Sequence, residues 1–221
     1  MSVVFTEVGE IEIPTWVTDL SAFRRWVHSV AVPEDAKVYW IGGEVWVDMS
    51  NEQIFSHVDV KGAIFRVLAD LSDDMDLGRV FTDGVLYTND YADIGVDPHA
   101  IFVSHESRAA GRVKFVRGKK GGLVEVQGTP DMVLEVVSRR SVTKGNQILF
   151  EGYWRAGIPE YWLVDARKSP ARFDIYRHTT DGYVATRRRD GWLKSIVFGK
   201  QFRFAESKDR FGDPAYSLEL K

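Results

Sequence analysis

The chain has 221 residues, 44% of them hydrophobic, which is long enough for one sizeable core. It contains no cysteine, so a disulfide framework and a thiolate zinc site are excluded, and any metal must be held by oxygen or imidazole ligands, the chemistry of magnesium, manganese or calcium. A formal net charge of -3 gives no global drive toward nucleic acid. No apolar run approaches bilayer length, and the start of the chain, with Glu7, Glu10 and Glu12, lacks the layout of a signal peptide, so a soluble, cytoplasmic protein is expected.

Trp16 to Val30 reads as an amphipathic helix, with Leu20, Phe23, Trp26 and Val27 at helical spacing after Thr18 as cap. Lys37 to Met49 alternates around Gly42-Gly43, the signature of a tight hairpin. Ser50 and Gln53 have the offset of a capping box, opening a helix with Val60, Ile64, Val67, Leu68 and Leu71 on one stripe. From Arg79 to Val137 short runs alternate with turn residues: Val80-Phe81, Val85 to Tyr87, Ala100 to Val103, Val113 to Val116, Leu123 to Val126 and Met132 to Val137. That pattern predicts a mainly antiparallel, twisted sheet. Asn146 to Ala156 reads as a helix ended by Gly157 and Pro159, and Tyr161 to Val164 as an apolar strand. In the tail, Asp181-Gly182 and Asp190-Gly191 separate strand-like runs and predict one or two hairpins. With no repeat, low-complexity tract or linker, residues 1–221 read as a single domain, with an N-terminal helical extension over about 1–35 and a C-terminal hairpin region over about 171–221.

The chemistry concentrates in Pro130-Asp131-Met132-Val133-Leu134-Glu135-Val136-Val137-Ser138. Strand side chains alternate, so Asp131, Val133, Glu135 and Val137 share one face and Met132, Leu134 and Val136 the other. Burying an unpaired carboxylate costs several kcal/mol, so Glu135 needs a cation, a hydrogen-bond network or a metal. Asp131 lies roughly 13 Å away along an extended strand, too far for both to hold one ion unaided. It reads equally as the end of a Thr-Pro-Asp turn. A second ligand must come from a neighbouring strand, and Asp97 and His99 fall on one face if their strand is regular. Glu44 follows the Gly-Gly turn, as a surface glutamate or as a carboxylate at the rim of the site. His57 reads as a packed or surface histidine. The basic clusters, with Arg117, Lys119, Lys120, Arg139 and Arg140, read as solvated turns or as phosphate contacts. Trp40, Trp46, Tyr153, Trp154, Tyr161 and Trp162 read as core, with Tyr161 and Trp162 on opposite strand faces.

The order Pro-Asp, three residues, Glu-Val-Val-Ser, then a helix ending Tyr153-Trp154-Arg155-Ala156-Gly157-Ile158-Pro159-Glu160-Tyr161-Trp162-Leu163-Val164-Asp165, resembles the Uma-two family of restriction-endonuclease-like proteins in the PD-(D/E)XK nuclease superfamily. The resemblance runs from about Lys37 through Tyr176, with Gly43-Glu44 and His57 also in family-like places. It implies an α/β (α+β) restriction-endonuclease-like core, a central mixed, largely antiparallel twisted sheet flanked by helices. It implies an endonuclease hydrolysing the phosphodiester bonds of DNA with Mg (or Mn), and a homodimer, since many nucleases of this superfamily pair to cut both strands. Glu135 matches the strand glutamate, Asp131 the aspartate four residues earlier, and Lys144 the lysine near the start of the next helix. Under that assignment Glu135, Asp97 or His99, and the Val136 carbonyl hold the metal, while Lys144 orients the nucleophile or offsets phosphate charge. Two positions depart from the pattern: Pro98-His99 stands where Pro-Asp is usual, and Gly145 where an aspartate is expected. They define the competing reading, a nuclease-fold binding module without turnover.

Overall fold

A computed structural model describes the backbone of residues 2–6, 9–33, 36–48, 52–119, 121–137 and 143–221, and the side chains of all of these except 2–6, 9, 10 and 143–146. A hairpin of β1 (Ser2–Thr6) and β2 (Gly9–Ile13) precedes α1 (Leu20–Val27), and a second joins β3 (Lys37–Ile41) to β4 (Glu44–Asp48). A π-helical turn over Ile54–Asp59 runs directly into α2 (Val60–Asp74). Then come β5 (Gly78–Thr82), β6 (Leu86–Asn89), β7 (Ile94–Val96), β8 (Ala100–Ser104), a short α3 (His105–Ala109), β9 (Val113–Arg117), β10 (Leu123–Gly128) and β11 (Met132–Val136). α4 (Thr143–Arg155) leads to β12 (Glu160–Asp165), β13 (Arg172–Thr179) and β14 (Gly182–Ala185), followed by β15 (Leu193–Lys194), β16 (Gln201–Lys208) and β17 (Pro214–Leu220).

Among the described residues the strands build two six-stranded sheets, each antiparallel except for one pair, beside the β1–β2 hairpin and a three-stranded antiparallel sheet β15-β16-β17. One has the order β14-β13-β12-β11-β8-β5, and its parallel pair β11–β12 sets Met132 opposite Glu160 and Val136 opposite Val164. The other has the order β4-β3-β7-β6-β10-β9, with β6 and β10 parallel. The expected mixed, largely antiparallel character holds, but it is divided between two sheets rather than gathered in one. The physical reason lies in the crossings. The chain leaves the second sheet after β7 through Asp97-Pro98-His99 and after β10 through Thr129-Pro130-Asp131. Proline has no N–H to donate to a ladder, so each of these crossings falls where pairing must stop. A third crossing, Asp83-Gly84-Val85, carries the chain from β5 to β6.

Strand alternation then sorts the core. Met132, Leu134, Val136 and Trp162 pack on Ile64 and Leu68 of α2 and on Phe198 and Phe202 of the C-terminal region. Val133 and Tyr161, on the opposite face, meet Tyr87 and Ile94 of the second sheet and Tyr153 of α4. Each such side chain contributes about 1.5–3 kcal/mol by burial. α1 lays Leu20, Phe23 and Trp26 against Ile11, Val38 and Trp40. Its cap is Asp19 rather than Thr18: the Asp19 carboxylate accepts from the Ala22 amide at 2.7 Å. The β3–β4 turn is as expected, with Gly42 and Gly43 at φ +62° and +82°, the left-handed pair that a two-residue hairpin requires.

One buried charge ties α1 to the second sheet. Glu125 on β10, 2% exposed, meets Arg24 Nε at 2.7 Å and His28 Nε2 at 2.6 Å and accepts from the Thr88 hydroxyl. Burial works to raise its carboxyl, but bonds from His28 and Thr88 and the Arg24 charge outweigh that and hold it below its ordinary value of 4.5. A carboxyl depressed in the folded state contributes stability that is complete above the unfolded value and is lost as pH falls through the folded one. Unfolding midpoints should therefore drop below about pH 4.5 more steeply in the wild type than in Glu125→Gln, and equal slopes would contradict this role.

Candidate functional site

Glu135 projects near the end of β11, on the face it shares with Val133, where the first sheet faces the second. No arginine closes on it among the described residues. Its Oε2 instead contacts His99 Nδ1, and its Oε1 accepts from the Tyr153 hydroxyl at 2.6 Å. The Val136 amide points at the same His99 nitrogen, at 3.3 Å. The Pro98 crossing thus delivers the imidazole beside β11, and α4 delivers the phenol.

A second layer comes from the π-helical turn. His57 is 5% exposed, with Nε2 3.2 Å from the Val136 carbonyl and its ring edge-on to His99, centroids 4.6 Å apart. Facing a carbonyl, Nε2 carries the ring proton when His57 is neutral. Nδ1 lies 3.2 Å from Glu52 Oε2. Glu52 also receives Lys37 at 2.9 Å and Lys61 at 2.5 Å, and Lys61 reaches Asp83 at 2.5 Å. Asp97 turns its carboxylate onto the amides of Gly84, at 2.8 and 2.9 Å, and Val85, at 3.1 Å, clasping one sheet crossing to another.

The site's electrostatics follow from burial and crowding. Burial pushes the Asp97 carboxyl up to about 6, and the charges of Asp83 and Glu135 add to this against the two amides. Burial, then repulsion from His99, lowers His57 despite Glu52. For Glu52 burial works upward, but Lys61 and Lys37 outweigh it and hold the carboxyl far below the usual range. Burial and the neighbouring Glu135 charge keep Tyr153 protonated, as a donor. The result is Lys61 held between Glu52 and Asp83, Lys37 joined to Glu52, and the Asp97 carboxyl within the field of Asp83 and Glu135.

Of the residues expected here, Glu135, His99 and the Val136 carbonyl come together. Asp97 and His99 do not share a strand face, because both lie in the crossing that Pro98 creates; Asp97 senses the Glu135 charge but spends its oxygens on backbone amides. Asp131 is elsewhere. It precedes β11 and accepts from the Ser104 amide at 2.8 Å, from the Ser107 hydroxyl at 2.6 and 2.7 Å, and from Arg112 at 2.9 Å, which is the turn-and-network role. Glu44 is exposed at the hairpin tip. Lys144 is in the first turn of α4, with its side chain outside the described set. Arg117 and Lys119 are exposed on the β9–β10 hairpin, Arg117 donating to the Gly121 carbonyl at 2.7 Å. Lys120, Arg139, Arg140, Ser50 and Asn51 lie outside the described residues.

Glu52, Lys61, Asp83 and Tyr153 join the site unforeseen, and His57 is packed, as expected, but packed into it. The regular helix expected after Ser50 begins instead with a π turn, and Gln53 makes no side-chain cap there. Such insertions recur at functional sites because they re-aim side chains. A signal existed: His57 and Lys61 are four apart on the helix, polar residues interrupting a stripe otherwise carried by Val60 and Ile64.

A family model described as "Putative restriction endonuclease", Uma2, matches residues 20–203, a span holding every site residue named above. No curated protein matches the chain. Among solved structures, a putative nuclease belonging to DUF820 from Anabaena variabilis ATCC 29413 is similar at a TM-score of 0.61 and 15% identity, over 82% of this chain and 90% of that one. At that identity what is shared is the fold, and no described helix is long and apolar enough to cross a membrane. With the family model covering well over half of its length, the chain belongs to the Uma2 family.

Proposed function

We propose that the protein is a metal-dependent endonuclease of the PD-(D/E)XK kind, hydrolysing phosphodiester bonds of DNA at Glu135. The observation that carries this reading is the company Glu135 keeps: a carboxylate on an apolar strand, met by an imidazole and a phenol, with the neighbouring Val136 carbonyl turned to His57 and no arginine neutralising it among the described residues. Those donors are all oxygen or nitrogen. Among the described residues no three His, Asp or Glu side chains form a ready-made cage. Magnesium does not need one, since it is commonly held by one or two carboxylates and completed by waters and substrate phosphate. Glu135, His99 and the Val136 carbonyl are the set that would hold Mg or Mn, with Asp97 beside them. A bound divalent cation would supply polarisation of the phosphate and acidification of water.

The chain's own residues supply the rest. Tyr153 fixes the Glu135 carboxylate through Oε1, leaving Oε2 to the site. His57 orients the Val136 carbonyl through Nε2. Positive charge against the developing phosphate charge would come from Lys61, held between Glu52 and Asp83, with Lys144 in the first turn of α4 as the second cation that the family resemblance assigns.

A specific observation favours a second reading, a nuclease-fold module that binds nucleic acid without cutting it. Glu135 has both oxygens engaged within the protein, and so has Asp97. Incubation of supercoiled plasmid and of a single-stranded oligonucleotide with Mg or Mn separates the two. Products that form with metal and vanish with chelator are expected, whereas binding without cleavage in either metal would favour the module.

A further inference from the structure

A cleft of about 870 Å³ opens beside the site. Asp83, Gly84 and Asp97 bring one part of the site into its lining, Lys37 and Tyr39 on β3 another, and Lys119 stands at the β9–β10 hairpin tip. Half of the residues facing it are aliphatic or aromatic, and two of these, Val30 and Val124, are 90% and 41% exposed. This is apolar surface left open to solvent, with Lys119 at one edge and the Asp83 and Asp97 carboxylates at another, continuous with the candidate site.

Building on the nuclease reading, we infer that this cleft holds an unpaired stretch of the nucleic-acid strand next to the scissile phosphate. Concavities of roughly 300–1,000 Å³ accept ligands of drug size, which corresponds to a nucleotide or two and not to a double helix. Charge pattern and polarity point the same way. A duplex turns its phosphates outward, so the valine wall would meet charge. An unpaired strand offers base faces and sugars to such a wall while its backbone stays at the lip with Lys119. Asp83 and Asp97 repel phosphate, and Asp97 is already taken up by the Gly84 and Val85 amides, so the acidic side of the cleft suits base edges rather than backbone, with Asp83 as the acceptor for an exocyclic amino group. Lys119 at the lip is the backbone contact, since Lys37 on the wall is already paired with Glu52.

The test is fluorescence anisotropy with a labelled single-stranded DNA 10-mer, and with the same strand annealed to its complement, in chelator so that nothing is cut. Wild type is compared with Val30→Trp, which crowds the cleft from an exposed position, with Lys119→Glu, and with Glu135→Gln. The single strand should bind at least about tenfold tighter than the duplex to wild type and to Glu135→Gln alike. Val30→Trp and Lys119→Glu should each weaken the single strand by about fivefold or more while circular dichroism and melting temperature stay unchanged. Equal affinity for the two forms, no binding of either, or indifference to both cleft substitutions would overturn the inference. Failure of the nuclease reading looks different: strand-selective binding intact, cleavage absent.

Discussion

Glu135→Gln is expected to lower metal-dependent cleavage by on the order of 10³-fold while moving the melting temperature by no more than a few degrees. The substitution keeps the shape of the side chain and an amide oxygen that can still accept from Tyr153, now 2.6 Å from Oε1. What it removes is the negative charge on the carboxylate that meets His99, the imidazole at which the Val136 amide also points. A neutral amide is a poor ligand for a hard divalent ion, so the loss should fall on turnover and not on folding. Lys61→Ala should lower turnover less and stability more, because it leaves Glu52 and Asp83 without the cation that bridges them. A Glu135→Gln protein that cuts at the wild-type rate would remove Glu135 from the chemistry.

Asp131→Ala is expected to do the reverse, lowering stability by about 3 kcal/mol and leaving the cleavage rate of the folded fraction unchanged. Asp131 is 7% exposed, and its loss strands the buried Ser107 hydroxyl, the Ser104 amide and one face of Arg112. Arg112 has a side chain 41% exposed, so water screens its share, and most of the effect should come from the serine and amide bonds. Arg112→Ala should accordingly cost only about 1 kcal/mol. Urea unfolding of both variants checks this. A stable but inactive Asp131→Ala would return Asp131 to the catalytic role that its position before the strand glutamate suggests.

Much of the fold was legible because it is local. The faces of β11 follow from a period of two, and the structure sorts Val133 from Met132, Leu134 and Val136 as that period demands. The same is true of Gly42-Gly43 in its hairpin, of the α2 stripe, and of Tyr161 and Trp162 dividing between two cores. Glu135 could be singled out for the same reason, as a charge on an oily strand. The division into two sheets was not legible, because β7 is three residues long and pairs with β3 at a single position, Trp40 opposite Gly95. Pairing partners of that kind are chosen by tertiary packing and leave little trace in periodicity. The site's second layer was hidden for a related reason. Glu52 lies just before the π turn and meets His57 on it and Lys61 on α2, and Tyr153 sits in an aromatic pattern that reads as core until its hydroxyl finds Glu135.

Calorimetric titration of chelator-stripped protein with manganese asks most directly whether Glu135 is there to grip an ion. Saturable heat at one or two sites in the wild type, lost in Glu135→Gln and kept in Asp131→Asn, is the predicted result. Heat that is absent from the wild type, or unchanged by Glu135→Gln, would contradict the account at its centre.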